Sequence, residues 1–251
     1  MATITELAAD LSSADQIKAY QAQQALAKLA GELGASGKET ERAAAAKELA
    51  AALAATKPAK DNRGEPTEES IHSVVGATEI CRVLAFLAGE AEVAVLKECL
   101  KNIDLREAAR WCLARMTCQG ATDALVEALA KATGTEYRVG LVNALGRKTG
   151  SSVVEALKTA TTSNEPELRL AAVEALAEQN QADLDTVIAA VDSGSLQRNE
   201  ARIARARIRL GNTLLRSGDK AGAKKIFEAV AGSTADEPQK KAASAALATI
   251  G

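Results

Sequence analysis

The chain has 251 residues, of which 47% are apolar but only 2% aromatic, and a formal charge of −2 at pH 7. Strand-forming β-branched and aromatic residues are too sparse to supply a sheet, whereas alanine, the best helix former, is abundant, so the composition excludes a β fold and points to an all-α one. The near-neutral balance argues against a protein built as a whole to coat nucleic acid or an acidic membrane.

No continuous apolar run of about 18 residues occurs, and the first ten residues lack a basic start followed by an apolar stretch. Neither a membrane span nor a secretory signal is therefore expected, and one continuous helical domain over 1–251 is the expected organisation. Ser13 to Leu33 and Ser36 to Ala55 predict two long alanine-rich helices, which make residues 1–55 an N-terminal cap. Gly34-Ala35-Ser36-Gly37-Lys38 between them resembles a phosphate loop. Glu39 stands where a magnesium-binding Ser or Thr would be needed, and a helix precedes it, so it is read as a helix-to-helix turn. Residues 56–67 (TKPAKDNRGEPT) carry two prolines and a glycine and predict a flexible loop. Glu69 to Gly89 and Ala91 to Asn102 then predict a helix hairpin. It contains His72, the one histidine, which reads as a packing or surface residue.

Three stretches further on superimpose: Leu105 to Leu113 (LREAARWCL), Tyr137 to Leu145 (YRVGLVNAL) and Leu168 to Leu176 (LRLAAVEAL). The steps from Arg106 to Arg138 and from Arg138 to Arg169 are 32 and 31 residues, the period of a helix-pair repeat. Each arginine follows an acidic residue two places earlier (Asp104, Glu136, Glu167), and each stretch ends on a leucine (Leu113, Leu145, Leu176) expected at equivalent buried sites. Near a helix N-terminus the dipole disfavours a cation, so Arg106, Arg138 and Arg169 need compensation. The reading is a structural ladder in which each guanidinium bonds carboxylates or carbonyls of the adjacent repeat. The second helices are led by Gly120-Ala121-Thr122-Asp123, Gly150-Ser151-Ser152 and Asn180-Gln181-Ala182-Asp183, read as turn and N-cap residues.

The pattern D/E-x-R-x-A-A-x-x-A-L resembles the HEAT-like repeats of the phycobilisome-lyase type, clearly over 104–193 and more loosely over 68–197. The resemblance implies an α-solenoid, or alpha-alpha superhelix, of about five to six stacked hairpins. It also implies that second helices line the concave side, where Asp123, Glu127, Glu155, Asp185 and Asp192 would form a mildly acidic face. Bilin attachment and alkylated-base excision occur among HEAT-like proteins, but no motif for either can be carried onto this chain. Trp111 lies inside a repeat motif and reads as core. Residues 198–251 follow a second resemblance: Leu210-Gly211, Ala223 and Phe227 have the spacing of a tetratricopeptide repeat, with Arg207 in the place of a large apolar residue. Lys240 to Leu247 resembles a terminal repeat helix with lysine for arginine.

The four cysteines, Cys81, Cys99, Cys112 and Cys118, sit among apolar residues without a C-x2-C pair. They read as core thiols of a protein in a reducing, cytoplasmic location, and neither a metal site nor a cofactor is expected. Arg198, Arg202, Arg205, Arg209 and Arg216 fall on one helical stripe. Between Arg198 and Lys225 basic residues outnumber acidic ones nine to two, which makes this stripe the candidate contact for an acidic segment of another protein. By the tetratricopeptide resemblance, Arg205, Asn212 and Arg216 would line an inner groove. With no catalytic constellation in the sequence, the function expected is a non-catalytic protein-interaction scaffold. The alternatives are an accessory subunit of a lyase-type or other modifying enzyme and, third, nucleic-acid binding through 198–216. The oligomeric state and the identity of the partner are not legible.

Overall fold

The computed structural model describes residues 2–56, 67–192, 194 and 197–250, with only the backbone of Gln197. Apart from its end residues Thr56 and Thr67, the expected flexible loop at 56–67 lies outside the described residues. Among the described residues there is no strand, and the fold is all-α. The chain forms two compact units, Met1–Leu125 and Val126–Gly251, and the division falls within helix α7 (Gln119–Lys131).

Unit 1 starts with α1 (Ile4–Asp10), followed by α2 (Gln16–Leu33) and α3 (Glu39–Ala55). The sequence reading missed α1, although Thr3 and Glu6 have the spacing of a capping box. Glu6 N–H donates to Thr3 Oγ1 at 3.2 Å and Thr3 N–H to Glu6 Oε2 at 2.7 Å, which nucleates this short helix by satisfying two otherwise orphaned donors. Then come α4 (Glu68–Leu87), a 3-10 turn at Glu90–Glu92, α5 (Val93–Cys99), α6 (Arg106–Arg115) and the start of α7. Helix α4 packs against α2, α3 and α6, and α5 packs on α6. Leu26, Leu49, Leu84, Leu96 and Leu113 are completely buried between them, each worth about 1.5–3 kcal/mol of transfer free energy. Alanines such as Ala22, Ala45 and Ala46 are buried among them, small side chains that let a core form with few aromatics. By length and composition α4 is apolar enough to cross a membrane. Its central position in unit 1 accounts for the buried part of that apolar surface, Ile80, Cys81, Leu84 and Leu87.

Unit 2 contains the end of α7, then α8 (Thr135–Leu145), α9 (Ser151–Thr161), α10 (Pro166–Leu176), α11 (Leu184–Ala189), α12 (Gln197–Ser217), α13 (Lys220–Ala231) and α14 (Glu237–Ile250). Helix α10 lies between α8 and α12 and also packs on α9 and α11, while α12 pairs with α13 and α14 closes the stack on α13 and α12. First helices thus stack on first helices while each packs on its own hairpin mate, the arrangement of an α-solenoid of helix hairpins. Leu145 and Leu176 are fully buried at matching positions.

Not every turn expectation works through a side chain. Gly150 occupies the N-cap of α9 with φ +126° and makes no side-chain cap. Its role is to adopt a backbone conformation that other residues resist. Asp183 likewise caps nothing at α11. The tetratricopeptide-like spacing falls on the α12–α13 hairpin. Leu210, Ala223 and Phe227 are fully buried there, and a Cβ on Gly211 would stand 2.6 Å from Cε1 of Phe227. Glycine is therefore what lets these two helices approach.

Candidate interaction surfaces

The arginines of unit 2 divide by partner. Arg138 Nη1 donates to Glu165 Oε2 at 2.9 Å, reaching from α8 to the residue that caps α10. Arg169 donates from Nη1 to the Ser163 carbonyl at 2.9 Å and from Nε to the Asp192 carbonyl at 3.1 Å, joining the loops on either side of its hairpin. In unit 1, Arg106 is half-buried at the first position of α6. For Arg138 and Arg169 the acidic residue two places earlier is not the one that pairs with the arginine. Glu167 instead accepts from Arg202 Nη1 at 2.9 Å, and Glu174 accepts from Arg202 Nε at 2.8 Å. These hydrogen-bonded carboxylates, Glu174 foremost, push the Arg202 guanidinium further above its ordinary range.

On the α12 stripe, Arg202 and Arg209 both lean toward α10, the latter 3.4 Å from Glu178. Arg198, Arg205, Asn212 and Arg216 remain exposed. Arg216 donates to its neighbour Thr213 Oγ1 at 3.2 Å, and Arg198 and Arg205 have no acidic partner among the described residues. Sequence reading noted Arg207 only as a misfit in an apolar position. In the structure it makes two parallel hydrogen bonds to Asp185 of α11, 2.7 Å from Nε to Oδ1 and 2.9 Å from Nη2 to Oδ2. Asp185 is thereby withdrawn from the acidic face assigned to it. Of the other members, Glu127 pairs with Lys131, Glu155 with Lys158 and Asp192 with Arg169, while Asp123 accepts from Gln119.

Unit 1 carries a surface the sequence reading did not find. The chain has five aromatic residues. Tyr137 and Phe227 are buried, and Tyr20, Phe86 and Trp111 are 61%, 57% and 39% exposed. Trp111, expected in the core, is therefore a surface residue: on α6 the buried stripe is Ala109, Cys112 and Leu113, and Trp111 faces away from it. On α4, residues His72, Val75, Glu79, Arg82 and Phe86 recur at helical spacing beside Tyr20, Gln23 and Ala27 of α2. Two grooves run between these helices. One of about 330 Å³ is lined by Tyr20, Gln23, His72, Val75 and Glu79. The other, about 400 Å³ and mostly apolar, is lined by Gln23, Ala27, Gly31, Arg82, Val83 and Phe86. Glu79 sits where they meet, accepting from Gln23 Nε2 at 2.9 Å and paired with Arg82. Beyond Phe86, the Arg115 guanidinium carbon lies 4.8 Å from the Phe86 ring centre and 5.1 Å from that of Trp111.

Among the described residues no group of His, Cys, Asp and Glu could hold a metal ion. His72 is half-buried, 3.8 Å from Glu68. Cys81, Cys99 and Cys112 are buried, Cys118 is partly so, and none of the four is in a disulfide. Burial pushes the Cys99 thiol up to about 11 and Cys81 higher still, the direction of inert core thiols.

No family model and no curated protein matches the sequence. Among solved structures, the chain is similar to the complex of CpcE and CpcF of phycocyanin lyase from Nostoc sp. PCC7120. Identity is 17% over 100% of this chain and 95% of that one, with a TM-score of 0.46. It is also similar to a designed armadillo repeat protein, YIII(Dq.V1)4CPAF, solved with the peptide (KR)4, at 16% identity over 100% of both chains and a TM-score of 0.35. Among its described residues the chain is an all-helical protein of stacked helix hairpins.

Proposed function

We propose that the chain is a non-catalytic protein-interaction module and that the α2–α4–α6 face of unit 1 is where it holds a partner protein. The observation that carries this reading is the placement of the aromatics. A chain that uses so few leaves three exposed, all on one unit: Tyr20 and Phe86 line the two grooves, and Trp111 is joined to Phe86 through Arg115. Exposed aromatics at the rim of a groove are the side chains that dominate protein interfaces, because they bury large area at small entropic cost. Glycine and alanine along α2 keep the groove open.

The test is capture on the immobilised full chain from native lysate, quantified by mass spectrometry, against a Phe86→Glu/Trp111→Glu variant. A protein retained by the parent and lost by the variant is expected. Identical retained sets would refute the assignment of this face.

The exposed part of the α12 stripe, Arg198, Arg205, Asn212 and Arg216, supports a separate contact with an acidic segment in unit 2, because Arg198 and Arg205 have no carboxylate partner among the described residues. Charge reversal at Arg205 and Arg216 should weaken capture of an acidic partner and reduce its salt dependence at unchanged melting temperature. Equal capture at low salt would leave the stripe a solvated face.

A further inference from the structure

Resting on the reading of unit 1 as a docking face, we infer that its occupant is a peptide segment of another protein that carries large apolar side chains next to an aspartate or glutamate, the carboxylate being received by Arg115. Arg82 is paired with Glu79, and Arg110 donates to Glu107 at 2.6 Å. Arg115 differs from both. Its interactions within the protein are with the Phe86 and Trp111 rings, and no acceptor among the described residues takes its N–H groups.

A guanidinium is planar, and stacking on aromatic rings engages its face while leaving its N–H groups, which lie in the plane, available. Two ring contacts also fix its orientation, so a bidentate carboxylate would bind without the entropic cost of ordering a loose arginine. Phe86 joins this cation to the groove, since the same ring that lies under Arg115 also lines the 400 Å³ apolar cavity between α2 and α4. An apolar side chain in the groove and a carboxylate on Arg115 would therefore both adjoin the Phe86 ring. A basic segment would find Arg115 opposed to it and Glu79 already engaged by Gln23 and Arg82.

Displayed libraries of random short peptides, selected on the full-length chain and sequenced, provide the probe, followed by anisotropy titration of individual synthetic peptides. Enrichment of peptides combining large apolar residues with Asp or Glu is expected. Replacing that acid by its amide should weaken binding to the parent about tenfold, and should change little in Arg115→Gln, which already lacks the charge. Gly31→Leu is the second variant. A Cβ at Gly31 meets nothing within 4 Å, so the helix should tolerate the substitution while its side chain fills the groove and abolishes binding of the same peptides. Enrichment of apolar peptides with no acidic preference, or with a basic one, would overturn the assignment of Arg115 while leaving the docking face in place. The absence of any selection sensitive to Phe86→Glu or Gly31→Leu would remove both. Flotation with neutral and anionic lipid vesicles, and sedimentation over a range of concentrations, complete the test. Membrane binding or self-association that Phe86→Glu abolishes would overturn the peptide occupant.

Discussion

Replacing Arg207 with alanine should destabilise unit 2 several times more than replacing Arg138 does. Its guanidinium and the Asp185 carboxylate are 14% and 18% exposed and share two short, parallel hydrogen bonds. Taking away the cation leaves a largely desolvated carboxylate without its counter-charge, a loss of about 3 kcal/mol. For a cooperative unit of this size each kcal/mol shifts the melting temperature by about 4 °C, so a fall of about 12 °C is expected. The comparison is Arg138→Ala, which breaks one bond between groups that are 29% and 36% exposed. Solvent screening reduces that loss to about 0.5–1 kcal/mol, or about 2–4 °C. Arg207→Met combined with Asp185→Leu removes both charges and should return close to the parent. Calorimetry gives the temperatures, and amide exchange locates the transition in 126–251. A single variant within about 1 °C of the parent, or a double variant as unstable as the single one, would refute the account of this pair.

Leu145→Ala should cost about 2–5 kcal/mol, since this leucine is completely buried between stacked helices. Amide exchange throughout unit 2 should accelerate with it. Gly211→Ala should cost about 1–3 kcal/mol despite its better helix propensity, because the new methyl would meet the fully buried Phe227 ring, and a chemical denaturation curve will read the loss. Alkylation of the native protein at pH 8 should modify Cys118 slowly and first, with Cys81, Cys99 and Cys112 reacting only after denaturation. The sign follows from burial, which raises the thiols of Cys81, Cys99 and Cys118 above their ordinary value and keeps them protonated at that pH. Peptide mass spectrometry of the alkylated protein checks the order.

The hairpins were legible because repetition supplies its own control. The leucine that ends each of the three superimposed stretches is fully buried, as a shared register demands. Partners across the stack were less legible. A rule that looks two residues back from each arginine finds Glu167 for Arg169, whereas stacking brings Glu167 to Arg202, 35 residues on. Arg207 was noticed for the wrong reason. An arginine in an apolar position reads as a departure from a pattern, and only the neighbouring hairpin reveals the carboxylate that makes it tolerable.

The aromatic face was illegible for a related reason. Periodicity says that a helix has an apolar stripe but not which stripe a neighbour covers. Helix α4 is apolar on several sides: Ile80, Leu84 and Leu87 are buried, while Ile71, Val75 and Phe86 are more than half exposed. Trp111 is adjacent in sequence to buried Cys112 and Leu113 yet points away from them. A repeat motif places a residue in a register, but the azimuth at which the next helix packs decides whether that residue becomes core or surface. In unit 1 that azimuth leaves Tyr20, Phe86 and Trp111 outside, so the residues usually most useful for filling a core are the ones the fold leaves available for a partner.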